Sequence, residues 1–182
     1  MFLKNKSIEQ IEGKPLSDAD IRSYLGRGTK IIEYKDLKKY NSIDELLPND
    51  KDFAVLLYES EPNSGQWTAL LKYDNNIELF DSYGQTDSKI LNWTPFRIRQ
   101  MLGEDDDYLT KLVNKSRYHF IHNTCKYQGN STETCGRHVV LRILAFLQDN
   151  ADLPQYNQMM TALKQNHPNQ NMDEIISSLI TK

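Results

Sequence analysis

Cys135 runs directly into an apolar series at helical spacing, Val139, Val140, Ile143, Leu144 and Leu147. A cysteine at a helix N-terminus faces unpaired backbone N–H groups and the positive end of the helix dipole, and both favour the thiolate. That chemistry points to a cysteine hydrolase. Such an enzyme needs a nucleophile, a base to ionise it, a group that orients the base, and donors for the oxyanion.

The remaining parts are sought upstream. Gln128, seven positions before Cys135 across a polar loop, offers an amide donor for the oxyanion. Asp81 ends a strand-like run, Ile77 to Asp81, where a carboxylate can hold an imidazole by its second nitrogen. A hairpin signal, Asp74-Asn75-Asn76, joins that run to Gln66–Tyr73, so the start of one strand lies beside the end of the other. Position 66 is therefore where the base belongs, and it holds glutamine. A glutamine cannot take a proton from a thiol near pH 7.

The elements that must position these residues follow from pattern. Ser17 caps a short helix that Gly26 and Gly28 end, and Thr29–Tyr34 reads as a short strand. Asn41-Ser42 caps a second helix, Ile43–Leu47, stopped by Pro48. Asp52–Tyr58 is a nearly continuous apolar run, as expected of a central strand buried on both faces. Glu59–Gly65 reads as a turn. Residues between Leu91 and Leu102 are expected to be helical after Pro95, and Tyr108–Asn114 forms another short helix. Tyr118–His122 reads as a strand, Cys135–Gln148 as a buried helix, and Pro154–Ile180 as one or two amphipathic helices. The order implies an α+β domain, a single unit over residues 1–182 with a core of about 29–150 and a helical extension of about 154–182.

Three blocks in order, Gly65-Gln66-Trp67, Phe80-Asp81-Ser82-Tyr83-Gly84, and Gln128 with six residues before Cys135-Gly136, resemble one protease clan. It is the clan that joins adenain to the ubiquitin-like-modifier proteases, and most closely the maturation proteases of adenoviruses, virophages and large DNA viruses. The likeness spans roughly Asp52 to Leu147. It implies a mixed central sheet flanked by helices (an adenain-like fold with a papain-like core). It also implies Cys135 as nucleophile, Asp81 as orienting carboxylate, and Gln128 with the Cys135 backbone N–H as oxyanion donors. Trp67 and Gly136 would bind substrate. The clan has Gly-His-Trp where this chain has Gly-Gln-Trp, so the chain resembles either an inactivated variant or a natural protein that has lost its base. Retention of Asp81, Gln128 and Cys135 together favours the former.

The implied substrates are viral capsid or structural precursors cut at glycine-containing sites during virion maturation, with or without a peptide cofactor. The alternatives are a peptidase of ubiquitin-like conjugates, and a non-catalytic module that holds glycine-rich tails.

Composition narrows the remainder. Lys and Arg number 22 against 25 Asp and Glu, for a net charge of -3, so no global field draws nucleic acid or an anionic membrane. Lys4-Asn5-Lys6 and Lys35, Lys38 and Lys39 read as solvated faces. No apolar run approaches the ~20 residues of a bilayer span, and Met1-Phe2-Leu3-Lys4 lacks a signal-peptide h-region. Two cysteines, no zinc spacing and no phosphate loop imply a reducing compartment and no metal or cofactor. The expected setting is the virion and the host-cell cytoplasm or nucleus. Cys125 is expected to be structural, His138 to pack rather than replace the base, His119 and His122 to be ordinary partly buried histidines, and Glu104–Asp107 to be a solvated loop.

Overall fold

Alternation along β2 (Phe53–Glu61) decides the architecture. Val55 and Leu57 enter one buried cluster, whereas Ala54, Leu56 and Tyr58 enter another. A strand with apolar side chains on both faces must lie inside a sheet covered on both sides. In the computed structural model, which describes residues 8–182, that is its position. The five-stranded sheet runs β1 (Ile31–Glu33), β2, β3 (Ser64–Tyr73), β4 (Asn76–Phe80), β5 (His119–His122). The β2-β3-β4 meander is antiparallel, and both edge strands are parallel to their neighbours. The sheet is therefore mixed and flanked by helices, an α+β fold.

One face is covered by α1 (Asp18–Leu25), α6 (Cys135–Asp149), α7 (Leu153–Asn166) and α8 (Met172–Leu179). Ser17 and Asp20 form a reciprocal capping box at the start of α1, which ends at Gly26 with φ 107°. The other face is covered by the 3-10 turn Tyr34–Lys39, α2 (Ile43–Leu46), α3 (Asp87–Leu91) and α5 (Tyr108–Asn114). Between α3 and α5, α4 (Phe96–Leu102) buries no residue of its own.

Tyr156, Met160, Ile176 and Ile180 of the C-terminal segment enter the same cluster as Cys135 and Val139. A wholly buried ion pair ties that side to the sheet. Arg142 of α6 grips Glu78 of β4 through two bonds, 2.9 and 2.7 Å, and gives a third to the Ala151 carbonyl at 3.0 Å.

Several sequence expectations need correction. Glu59–Gly65 is not a turn, because β2 and β3 run on to Glu61 and Ser64. The chain reverses at Pro62-Asn63 alone, with Asn63 at φ 59° and a bulge between Glu59 and Glu61. Tyr34 leaves the first strand for the 3-10 turn, because its hydroxyl is drawn to Asp87 beneath the sheet. Asp87–Leu91 is a further helix before the expected one. Glu104 is 1 % exposed rather than solvated, and Cys125 is exposed rather than part of a core. Lys35 pairs with Glu33 and Glu59, so it too is not merely solvated. Lys4-Asn5-Lys6 lies outside the described residues. No helix among the described residues is long and apolar enough to cross a membrane.

Candidate active site

The register of the meander brings the expected parts together. Ala69 pairs with Phe80, so two antiparallel strands carry Gln66 and Asp81 to the same sheet end on the same face. There the Gln66 Nε2 donates to Asp81 Oδ1 at 2.8 Å. The hairpin closes through Asp74 and Asn75, both at positive φ, the backbone a two-residue turn requires.

Asp81 is fully buried and its carboxyl is pushed up to about 6, chiefly by that burial; bonds from the Gln85 backbone and Gln66 oppose the rise. Its backbone is bracketed by Asn123, which accepts the Asp81 N–H at 3.0 Å and donates to its carbonyl at 2.6 Å. Gly84, at φ 72°, lets the turn after Asp81 pass against Thr124 and Cys125, where a Cβ would lie 2.8 Å from the Cys125 carbonyl oxygen.

From Gln66 the bonds run on across the site. Nε2 also lies 3.1 Å from Ser82 Oγ, and that hydroxyl donates to Gln128 Oε1 at 2.6 Å. The Gln128 amide nitrogen donates to the Thr132 carbonyl at 2.8 Å. Its backbone N–H, with that of Tyr127, reaches the Ser82 carbonyl. Ser82 thus joins the strand end to the loop that precedes the Cys135 helix.

Cys135 opens α6 and is 5 % exposed. Burial pushes its thiol up to about 11, and the carboxylates of Glu133 and Asp81 add to the rise. The backbone N–H groups of Trp67 and Gly136 lie near the sulfur and act the other way, as expected at a helix start. Gly136 packs where a Cβ would meet Leu16 Cβ at 3.0 Å and Trp67 Cδ1 at 3.2 Å. That placement makes it a close-approach residue under Trp67. The Trp67 indole N–H donates to the Leu16 carbonyl at 2.9 Å, and the ring lines a cleft of about 620 Å³ with Leu16, Leu57 and Gly65.

A second hub had no signal in the sequence. Asp173 of α8 accepts from the Gly129 N–H at 2.7 Å, Thr132 Oγ1 at 3.2 Å, Thr134 Oγ1, and His138 Nε2 at 2.9 Å. These bonds hold its carboxyl below the usual range, even though burial opposes them. They fix the whole segment between Gln128 and Cys135. His138 is wholly buried in this hub, which removes it from any role as substitute base. His122 is half-buried and His119 exposed on β5. No group of three or more His, Cys, Asp or Glu suited to a metal occurs among the described residues.

No family model matches the chain. The chain is 34 % identical over 154 residues, 83 % of its length, to the uncharacterized protein V9 of Sputnik virophage, of which it covers 87 %. The chain belongs to the V9 family. Among solved structures, SUMO protease Ulp1 with its catalytic cysteine oxidised to a sulfenic acid is similar over 96 % of this chain and 81 % of that one, at 16 % identity and TM-score 0.44. The C-terminal Ulp1 protease domain in complex with Smt3, the yeast orthologue of SUMO, covers 96 % and 80 % at 17 % identity and TM-score 0.42. At those TM-scores the likeness carries no argument. What can be said of V9-family chemistry in this chain rests on its own residues.

Proposed function

We propose that this V9-family chain is built as a thiol endopeptidase. In this reading Cys135 is the nucleophile, Asp81 the orienting carboxylate, Gln128 and the Cys135 N–H the oxyanion donors, and position 66 the seat of the base. The observation that carries it is the 2.8 Å bond from Gln66 to Asp81. It is the contact an imidazole N–H would make, and the Asp81 carboxylate lies near enough for its charge to bear on the Cys135 thiol. With histidine at 66, the Cys135 proton passes to the imidazole and the thiolate attacks the substrate carbonyl. The leaving amine then takes that proton, and water releases the acyl group. With glutamine the proton has no acceptor, and the thiol stays neutral at pH 7.

The virophage relative supports a viral setting. The substrates are viral structural precursors, cut at glycine-containing sites inside the infected cell or the maturing particle. The cleft beside Trp67, lined by Leu16, Leu57 and Gly65, offers a seat for an extended peptide. The test is Gln66→His against glycine-rich peptides and a thiol-reactive probe. Hydrolysis or labelling that Cys135→Ala abolishes supports the proposal, and an inert, folded Gln66→His chain defeats it. A second reading is favoured by the bonds that Gln66 already makes to Asp81 and Ser82. In that reading the chain binds glycine-containing tails without cutting them, and Gln66→His binds such peptides yet remains inert.

A further inference from the structure

A second cavity, of about 330 Å³, lies across Ser64 and Gly65 from the Trp67 cleft and shares Ser64, Gly65 and Glu133 with it. Gln66 lines it, so it opens beside the position of the base. Four carboxylates line this cavity, Glu59, Glu61, Glu104 and Glu133, and no lysine or arginine does.

Their environments differ. Glu59 is already engaged, with Oε2 held by Lys35 at 3.0 Å and Oε1 accepting the Asn63 N–H at 2.7 Å. Glu61 and Glu133 are exposed and make no ion pair among the described residues. Glu104 is 1 % exposed, and its Oε1 accepts the Glu59 N–H at 2.8 Å. Its Oε2 has no hydrogen-bond partner among the described residues. That oxygen is not one of the sealed atoms that lack a partner, so it keeps a small opening to the cavity through which a ligand donor can reach it. The apolar wall comprises Ile90, Leu91 and Trp93, whose indole is 45 % exposed.

We infer that this cavity is a subsite for a lysine or arginine side chain of the bound peptide, with the aliphatic stem along Trp93 and the cationic head at Glu104 Oε2. The inference rests on the peptidase reading for its peptide, and it assigns that peptide a basic residue near its glycine-containing site. A long cationic side chain suits a pocket with an apolar wall and a buried acidic floor. The charged groups around Glu104 are Glu59 on β2, Lys35 on the 3-10 turn, and Arg99 on α4. Lys35 is committed to Glu33 and Glu59. Arg99 donates to the Glu104 backbone carbonyl at 3.3 Å and not to its carboxylate.

The experiment measures binding of glycine heptapeptides carrying one lysine, walked through each position, against twins carrying norleucine. It uses the full chain at pH 8, with tryptophan fluorescence as readout. At one register or more, the lysine peptide is expected to bind about tenfold more tightly than its twin, and Glu104→Gln to reduce the difference to about twofold. Glu61→Gln with Glu133→Gln, both at the exposed rim, weakens the preference by a smaller amount that vanishes in high salt.

No lysine preference at any register, or one that survives Glu104→Gln in a chain with native circular dichroism, overturns the inference. Should Glu104→Gln fail to fold, the lysine–norleucine comparison and the rim variant decide alone, and a preference unmoved by the rim variant overturns it. The same peptides offered to Gln66→His separate the two readings. Cleavage without lysine preference removes the subsite only, whereas lysine preference with neither cleavage nor Cys135 labelling removes the peptidase reading only.

Discussion

The Gln66 side-chain amide donates one hydrogen bond of 2.8 Å to Asp81, and no other side chain among the described residues donates to that carboxylate. The buried acid is therefore held by a neutral amide that can orient but cannot exchange a proton. Burial pushes the Cys135 thiol up to about 11, and the Trp67 and Gly136 N–H groups offset only part of that rise. In a Cys125→Ser background, alkylation of Cys135 by iodoacetamide is expected to climb steadily from pH 7 to beyond pH 10 without a plateau. Gln66→His should bring a plateau near neutrality and raise the pH 7 rate by roughly 10²-fold or more. A plateau below pH 8 in the unaltered chain would contradict this account.

Glu104→Gln tests the buried floor of the second cavity through stability. The Glu104 carboxyl sits at about 7 against an ordinary value near 4.5, raised first by burial and then by Glu59. The folded chain keeps this proton while the unfolded chain has lost it, so stability falls as pH rises from about 4.5 to about 7. The loss attributable to this group is about 3 kcal/mol. Glutamine keeps the acceptor for the Glu59 N–H and removes the titration. Urea unfolding at pH 5 and pH 7.5 should show a smaller difference in the variant, with the residual slope between about 4 and 6 belonging to Asp81.

Asp173→Ala should cost roughly 3 kcal/mol, because it leaves the Gly129 N–H, two threonine hydroxyls and a buried histidine without their acceptor. The Asp173 carboxyl lies below its ordinary value. Its contribution is therefore present above about pH 4 and disappears as pH falls through the lower folded value. Hydrogen exchange should quicken over residues 128–134 while β2 and β3 stay protected. Uniform exchange across the chain would show that the hub serves general stability and not this loop.

Glu78→Gln should be among the most damaging changes to the fold. Arg142 is wholly buried and loses the charge and one of the two oxygens it grips, and an NH2 donor then faces either its guanidinium or the Tyr73 hydroxyl. Removing one member of a buried pair costs about 3–5 kcal/mol. Thermal unfolding of Glu78→Gln beside a double Glu78→Leu, Arg142→Met variant should show the double change to be the milder.

Gly65→Ala asks whether position 66 depends on its neighbour. A Cβ there would lie 1.8 Å from the Tyr58 carbonyl oxygen and 2.9 Å from Glu59 Cα, both backbone. The hairpin must open, at a cost of about 2–3 kcal/mol. A crystal structure of the variant should show Gln66 displaced from Asp81.

Local pattern carried most of the fold into view. The Ser17 and Ser42 caps, the apolar run of β2, and the hairpin at Asp74-Asn75 are encoded within a few residues of where they act. Gln66 beside Asp81 was legible for the same reason, since a short hairpin fixes its own register. The failures are long-range. Glu59–Gly65 is rich in turn-formers, yet pairing between β2 and β3 overrides them up to the last two residues. Glu104 lies in an acidic run that reads as a solvated loop, and only the distant β2 backbone explains its burial. Asp173 stands 38 positions after Cys135 on an unremarkable amphipathic helix, so no spacing rule could connect them.

That hub has a consequence for the order in which the protein is made. The ribosome delivers Cys135 before Asp173, and among the described residues no other carboxylate gathers the segment from Gln128 to Thr134. Arg137, next in the helix but one, likewise waits for the carbonyls of Ile180 and Lys182. A nascent chain holding the sheet and the cysteine helix thus carries the thiol without the loop that aims it. Docking of α8 completes the bonding of the loop before Cys135, and it comes only after the whole sheet has been made.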